Sequence, residues 1–332
     1  MANRLINWLK THWPPTPRVA TPDLPTEVIL EVTNNCNLAC RMCHFHGRGV
    51  VRKRPKGFMA PDLWHRVVDQ LAGWGRPVNL STFGAGEPLL YPGLFDLVSY
   101  VKTKPQITVG FLTNGMLFNE SAARRTLDLG MDWVGFSLDG LDEQMFKDYR
   151  INADLSTVER SVVTLADLRA KSGGAVPRIK LNMVLVPGME NQVDAYLDKW
   201  LPLVDEIMFS TCRPVGRRDF LPPDPQRVRR PCHLLCQMMV ITWTGDVALC
   251  CEDIFADVVL GRAAKDDLAG VWSGEAFSRV RRLHRQGRYA ALPLCQDCDT
   301  WSTDQFETWR DEARGCTVNR NGAQFSYVKD PS

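Results

Sequence analysis

The sequence predicts an α/β chain: a partial, TIM-like (β/α)6 barrel followed by a small α+β domain. Three observations point there. Between residues 26 and 210, six short segments rich in Val, Ile and Leu alternate with amphipathic stretches. Strands separated by helices pair in parallel through right-handed crossovers. Six such units instead of eight leave a barrel open, with a doubly wound sheet as the alternative that periodicity allows. Of the chain's 11 cysteines, three follow the first of these segments and eight lie from Cys212 onward, with none between Cys43 and Cys212.

Strands are expected at 26–33, 78–83, 107–112, 133–138, 179–186 and 206–210, where β-branched residues concentrate. Helices are expected at 62–74, 92–102, 120–129, 158–170 and 193–203. In the first of these, Leu63, Val67, Leu71 and Trp74 recur at helical spacing. A stretch dense in Pro, Arg and Asp shows neither period and reads as a linker. Beyond it, 238–242 and 246–249 flank a Trp-Thr-Gly turn and read as a hairpin, and 275–286 reads as a helix. The polar tail from 302 suggests one short helix at most. The expected organisation is an N-terminal extension (1–23), a barrel (24–212), a linker (213–224), a second domain (225–301) and a tail (302–332).

Composition narrows the function classes. Hydrophobic residues make up 45% and charged residues 23%, the usual globular mixture. A net charge of +2 offers no footprint for nucleic acid or for an anionic membrane surface. No apolar run is long enough to span a bilayer. The first residues lack the unbroken apolar core of a signal peptide. The expected location is therefore cytoplasmic, where an odd number of cysteines suggests metal or redox chemistry instead of disulfides.

Cys36, Cys40 and Cys43 form C-x3-C-x2-C directly after the first expected strand. Three thiolates on one loop can hold three corners of a [4Fe–4S] cube and leave the fourth iron open. A zinc site completed by His44 or His46, or a thioredoxin-like pair that leaves one cysteine unexplained, are the alternatives.

This loop resembles the signature of the radical S-adenosyl-L-methionine (SAM) enzymes. The resemblance implies that SAM chelates the open iron and that its reductive cleavage gives a 5′-deoxyadenosyl radical, which removes a hydrogen atom from substrate. It also implies an external electron donor such as flavodoxin or ferredoxin. Further motifs follow the next strands in order. Ala85-Gly86-Glu87-Pro88 resembles the family's Gly-Gly-Glu-Pro segment, which implies that its backbone holds the SAM amino group, with Ala85 departing at its first position. After the third strand comes Thr113-Asn114-Gly115. The fourth ends in Ser137-Leu138-Asp139-Gly140, where the family contacts ribose, and the fifth carries Asn182. Ser137, Asp139, Asn114 and Asn182 are thus cofactor-binding candidates. Met42 and Phe45 are candidates for packing against the cofactor, with simple burial as the other reading.

Cys232, Cys250, Cys295 and Cys298 resemble, in spacing, the auxiliary-cluster domain of such enzymes (SPASM, in its shortened twitch form). That implies a second [4Fe–4S] cluster, although Cys236 competes with Cys232 and Cys251 with Cys250. A structural zinc ribbon could use the same four residues. Four thiolates saturate a cluster and suit it to electron transfer.

Cys212 follows the sixth strand and is a candidate hydrogen donor. The arginines after it (Arg213, Arg217 and Arg218) could meet an anion, or simply be a solvated linker. The first reading of function is oxidation or epimerisation of a hydroxyl-bearing carbon in a sugar-like or aminocyclitol metabolite. The alternatives are modification of a ribosomally made peptide and a non-catalytic iron–sulfur electron carrier.

Overall fold

The structure, a computed structural model, describes residues 23–51, 53–186, 188–212, 229–304, 306–321 and 324–329. The expected extension up to residue 22, the linker and its arginines lie outside the described residues. Six parallel strands form the centre: β1 (Glu27–Leu30), β2 (Val78–Ser81), β3 (Ile107–Thr113), β4 (Trp133–Ser137), β5 (Arg178–Leu185) and β6 (Glu206–Thr211). They stand side by side in sequence order. A doubly wound sheet reverses its order at a switch point; this one does not, so each crossover turns the same way and the sheet winds as a partial barrel.

The connecting helices are α1 (Pro61–Gly73), α2 (Leu94–Val101), α3 (Glu120–Asp128), α4 (Glu143–Tyr149), α5 (Leu155–Ser172) and α6 (Val193–Trp200). Local chemistry starts them. Pro61 opens α1, where its missing N–H costs nothing. Asn119, Asp142 and Asp154 cap α3, α4 and α5 by accepting from Ala122, Met145 and Thr157 N–H. Packing then holds them: Trp64, Val67, Val68 and Leu71 of α1 are buried with Val28, Leu30 and Leu80 of the sheet in one continuous core.

The second domain contributes β7 (Met238–Ile241), β8 (Asp246–Ala248) and β9 (Val259–Arg262), then α7 (Leu268–Ser273), α8 (Glu275–Arg285) and α9 (Pro293–Gln296). The expected hairpin is β7–β8. The expected helix at 275–286 is α8. β7 also pairs in parallel with β1, so the barrel sheet runs on into the second domain. A smaller core of Leu235, Leu249, Val280, Leu294 and Cys295 lies beyond it.

The tail departs from expectation. It forms β10 (Phe306–Asp311), β11 (Cys316–Asn321) and β12 (Gln324–Lys329), an antiparallel set whose last strand pairs with β6. Cys316 and Val318 are buried beneath it. The short α4 was also unforeseen, since its seven residues bury only Phe146 and so carry no period to read.

Candidate functional site

The C-terminal ends of the first four strands surround a cavity of about 250 Å³, the end at which parallel barrels carry their chemistry. Cys36, Cys40, Cys43 and Met42 line it, as do Ala85, Gly86, Glu87, Asn114 and Ser137. The cysteine loop is pinned to α4, with Arg41 N–H donating to Tyr149 C=O at 2.8 Å and Ala39 N–H to Ile151 C=O at 3.2 Å. Backbone donors point at sulfur: Leu38 N–H to Cys36 Sγ at 3.4 Å and His46 N–H to Cys43 Sγ at 3.2 Å. Burial pushes the Cys36 thiol up to about 11. It also raises Cys40, with Arg150 pulling the other way.

Glu87 joins three loops. Its N–H donates to Asn35 C=O at 2.7 Å. Its carboxylate accepts from Thr113 Oγ1 at 2.7 Å, Asn114 N–H at 2.8 Å and Leu89 N–H at 3.2 Å. Burial raises this carboxyl to about 6 against the pull of those donors. The Glu87 side chain and N–H are therefore engaged in holding the loops after β1, β2 and β3 together. Asn114 extends this frame through Nδ2 to Asn37 Oδ1 at 2.8 Å and lies 3.9 Å from Cys36 Sγ. Gly86 has to be glycine for packing alone, because a Cβ there would come within 2.5 Å of the Thr33 and Asn35 carbonyls.

Asp139 stands behind the cavity. It is fully buried, accepts from Val184 N–H at 2.7 Å and pairs with Arg150 Nε at 2.6 Å. Arg150 lines the cavity, within electrostatic reach of Cys40 and Cys43. Of this buried pair, the member presented to the cavity is thus Arg150, which sequence reading missed because it closes the unforeseen α4. Its only sequence signal is its place shortly after the Ser-Leu-Asp-Gly segment.

Other expected residues lie outside the cavity lining. Phe45 stacks on Phe255 at a centroid distance of 5.5 Å and under the Arg54 guanidinium, so it packs the cysteine loop against the second domain. Pro88 is buried and begins a 3-10 turn. Asn182 faces Ser137 in register and accepts Leu138 N–H on its carbonyl at 3.0 Å. Cys212 is half-buried, with its N–H on Leu185 C=O at 2.9 Å.

The second cysteine group sits on the smaller core. Cys232 opens a 3-10 turn, Cys250 follows β8, Cys295 lies in α9 and Cys298 just after it. Burial pushes Cys232 up to about 12, with Cys298 and Cys295 adding to the rise. Cys250 is raised by burial, then by Cys251 and Cys232. Cys236 lies near the buried Arg281.

Comparison with known proteins agrees with this architecture. The radical SAM superfamily matches residues 30–198, and the SPASM iron–sulfur cluster-binding domain matches residues 232–299. The S-adenosyl-L-methionine-dependent 2-deoxy-scyllo-inosamine dehydrogenase of Niallia circulans is 22% identical, over 84% of this chain and 95% of its own length. A probable GTP 3′,8-cyclase of Methanococcus maripaludis is 28% identical over 59% of this chain, and the chain spans only 60% of that protein. Among solved structures, BtrN in complex with AdoMet and 2-DOIA superposes with a TM-score of 0.58 at 19% identity, covering 85% of this chain and 96% of BtrN. Streptococcus suis SuiB bound to S-adenosylmethionine gives 0.63 at 16% identity, covering 90% and 76%. No helix among the described residues is long and apolar enough to cross a membrane. The chain belongs to the radical SAM superfamily and is an enzyme with a C-terminal SPASM domain.

Proposed function

We propose that the chain dehydrogenates, or alternatively epimerises, a hydroxyl-bearing carbon of a small sugar-like or aminocyclitol metabolite, with SAM bound in the cavity at the barrel's strand ends. As a radical SAM enzyme with a SPASM domain it uses SAM and [4Fe–4S] clusters. The donor sets suit them. Three thiols share one loop at the cavity, three more belong to or border a separate apolar core, and Cys298 follows α9 just after them. Among the described residues no three Cys, His, Asp or Glu converge where one metal ion would be held. A cube needs no such convergence, because each thiolate binds its own corner iron.

Cys36, Cys40 and Cys43 would hold the first cluster, and Cys232, Cys250, Cys295 and Cys298 the auxiliary one. When bound, these groups supply a carbon-centred radical that removes hydrogen from substrate and, at a saturated second cluster, a one-electron acceptor. The chain does the rest. The backbone at Ala85 and Gly86 allows close approach of the SAM amino acid end. Arg150, fixed by Asp139, presents a positive charge to an anionic group. Ser137 offers a hydroxyl toward ribose. Asn182, within β5, and Cys212, just after β6, lie on the next two strands, where the thiol of Cys212 would serve epimerisation.

The observation that carries the reading is the three-cysteine cavity walled by the loops after four successive strands. The named dehydrogenase relative, matched over 95% of its length, favours oxidation of a small molecule. An external flavodoxin or ferredoxin would deliver electrons, in a reducing cytoplasmic setting that spares exposed clusters. Anaerobically reconstituted, reduced protein should convert SAM to 5′-deoxyadenosine and methionine, and Cys36→Ala should not. Candidate metabolites should then yield products lighter by two hydrogens; products of unchanged mass and inverted configuration would favour epimerisation. Equal SAM turnover by wild type and Cys36→Ala would sink the reading.

A further inference from the structure

Glu31 is a buried carboxylate that none of these roles uses. It follows β1, is 3% exposed, and forms a two-pronged ion pair with Arg54, at 2.7 Å to Nη1 and 2.9 Å to Nη2. Both side chains are almost out of water, at 5% and 10% exposure. Such a pair is strong only where geometry and further hydrogen bonds offset desolvation, and its remaining bonds reach two separate regions. Glu31 Oε2 accepts Ala85 N–H at 3.1 Å, in the loop that walls the cavity. Glu31 Oε1 accepts Trp243 N–H at 3.3 Å, in the second domain. Arg54 Nη2 donates to Ile254 C=O at 2.5 Å.

Both ends of this bridge are tightly set. On the cavity side, a Cβ at Gly84 would fall 2.6 Å from Glu31 Cβ, so the loop lies directly on the carboxylate's stem. On the other side, Ile254 follows a turn in which Asp253 N–H donates to Cys250 C=O at 3.1 Å. The Asp253 carboxylate gathers the N–H groups of Asp257 and Val258 at 2.8 and 3.0 Å. Cys250, a proposed auxiliary ligand, and Ala85, a proposed cofactor contact, are therefore joined through one ion pair.

We propose that Glu31 is a positioning residue for the cofactor-binding loop, and that its ion pair with Arg54 makes SAM affinity depend on the auxiliary cluster domain. The proposal rests on the SAM site argued above. It is reciprocal: if the auxiliary cluster tightens SAM, SAM must tighten the auxiliary cluster to the same degree.

The test is SAM affinity by equilibrium dialysis, with the electron paramagnetic resonance spectrum of the reduced first cluster, in wild type, Glu31→Gln, Arg54→Lys, Cys298→Ala and the Arg54→Lys/Cys298→Ala double variant. Lysine keeps the charge but cannot hold Glu31 with two prongs and reach Ile254 as well, so this variant carries the test even where Glu31→Gln folds poorly. Each single variant should weaken SAM binding about tenfold while keeping its first-cluster iron, and the double should be no weaker than either single. In wild type, SAM should slow loss of auxiliary iron to a chelator, and Arg54→Lys should remove that protection. Wild-type affinity in Arg54→Lys, additive losses in the double variant, or chelator rates in wild type indifferent to SAM would each overturn the proposal. A wild-type chain that binds no SAM at all would overturn the SAM site itself and the proposal with it, a result distinct from the others.

Discussion

The two cysteine sites are built in opposite ways. Cys36, Cys40 and Cys43 sit on one short loop, and a large independent scaffold shapes the space around them: Glu87, Thr113 and Asn114 lock three strand-end loops together by hydrogen bonds between protein groups. The second set is drawn from three separate segments around a core of a few residues, Leu235, Leu249, Val280 and Leu294 among them. The first site is a product of the fold. The second, with so little apolar surface of its own, needs its ligands bridged to hold its segments in place, as in small metal-stabilised domains.

Removing a ligand on each side gives the sharpest contrast. Cys298→Ala should lose about half of roughly eight irons and lower the first unfolding transition by about 5 °C or more. Cys36→Ala should also lose about half, yet shift that transition far less. Iron analysis with differential scanning calorimetry under anaerobic conditions would check this, and equal shifts would break the contrast. Next in size is Leu249→Ala, which empties part of the small core and should cost about 2–5 kcal/mol. The loss should be read in the second domain alone, as faster release of auxiliary iron to a chelator with SAM binding retained to within the coupling proposed above. Uniform loss from both clusters would contradict separate cores.

The smallest effect concerns the barrel alone. Asp154 caps α5 and accepts from Ser156 and Thr157, which lowers its carboxyl to about 2 from the ordinary 3.8. A depressed acid contributes stability that is complete above its unfolded value and fades as pH falls from about 4 through about 2. Asp154→Ala should cost about 1 kcal/mol at neutral pH, and its difference from wild type should shrink across that acid window in urea titrations. A difference independent of pH would assign the loss to something other than the charged cap.

Much of the barrel was legible because its signals are local. Val and Ile runs mark β1 to β6 to within a few residues, and cysteines or glycines follow the strands they should follow. The cavity's polar interior was less so. Asp139 was visible, but what it does is hold Arg150, and that arginine ends a helix too short for periodicity. Phe45 read either as a cofactor contact or as a buried residue, and its packing on Phe255, a residue distant in sequence, had no local trace. The pairing of β7 with β1 is a tertiary fact with no local trace. The tail strands did leave one: Cys316 and Val318, then Phe325 and Tyr327, alternate at period two on either side of an Asn-Gly pair at 321–322. The polar composition of the tail from 302 onward masked it.

The pairing of β12 with β6 has a consequence for how the chain is made. A parallel barrel strand left at an edge offers a row of open backbone groups to any extended chain nearby. The strand that covers β6 leaves the ribosome long after β6 itself, once the entire second domain has been synthesised. Until then the nascent barrel carries an uncovered edge, and a version shortened before Gln324 would keep it for good, inviting self-association even with every cysteine of both sites in place.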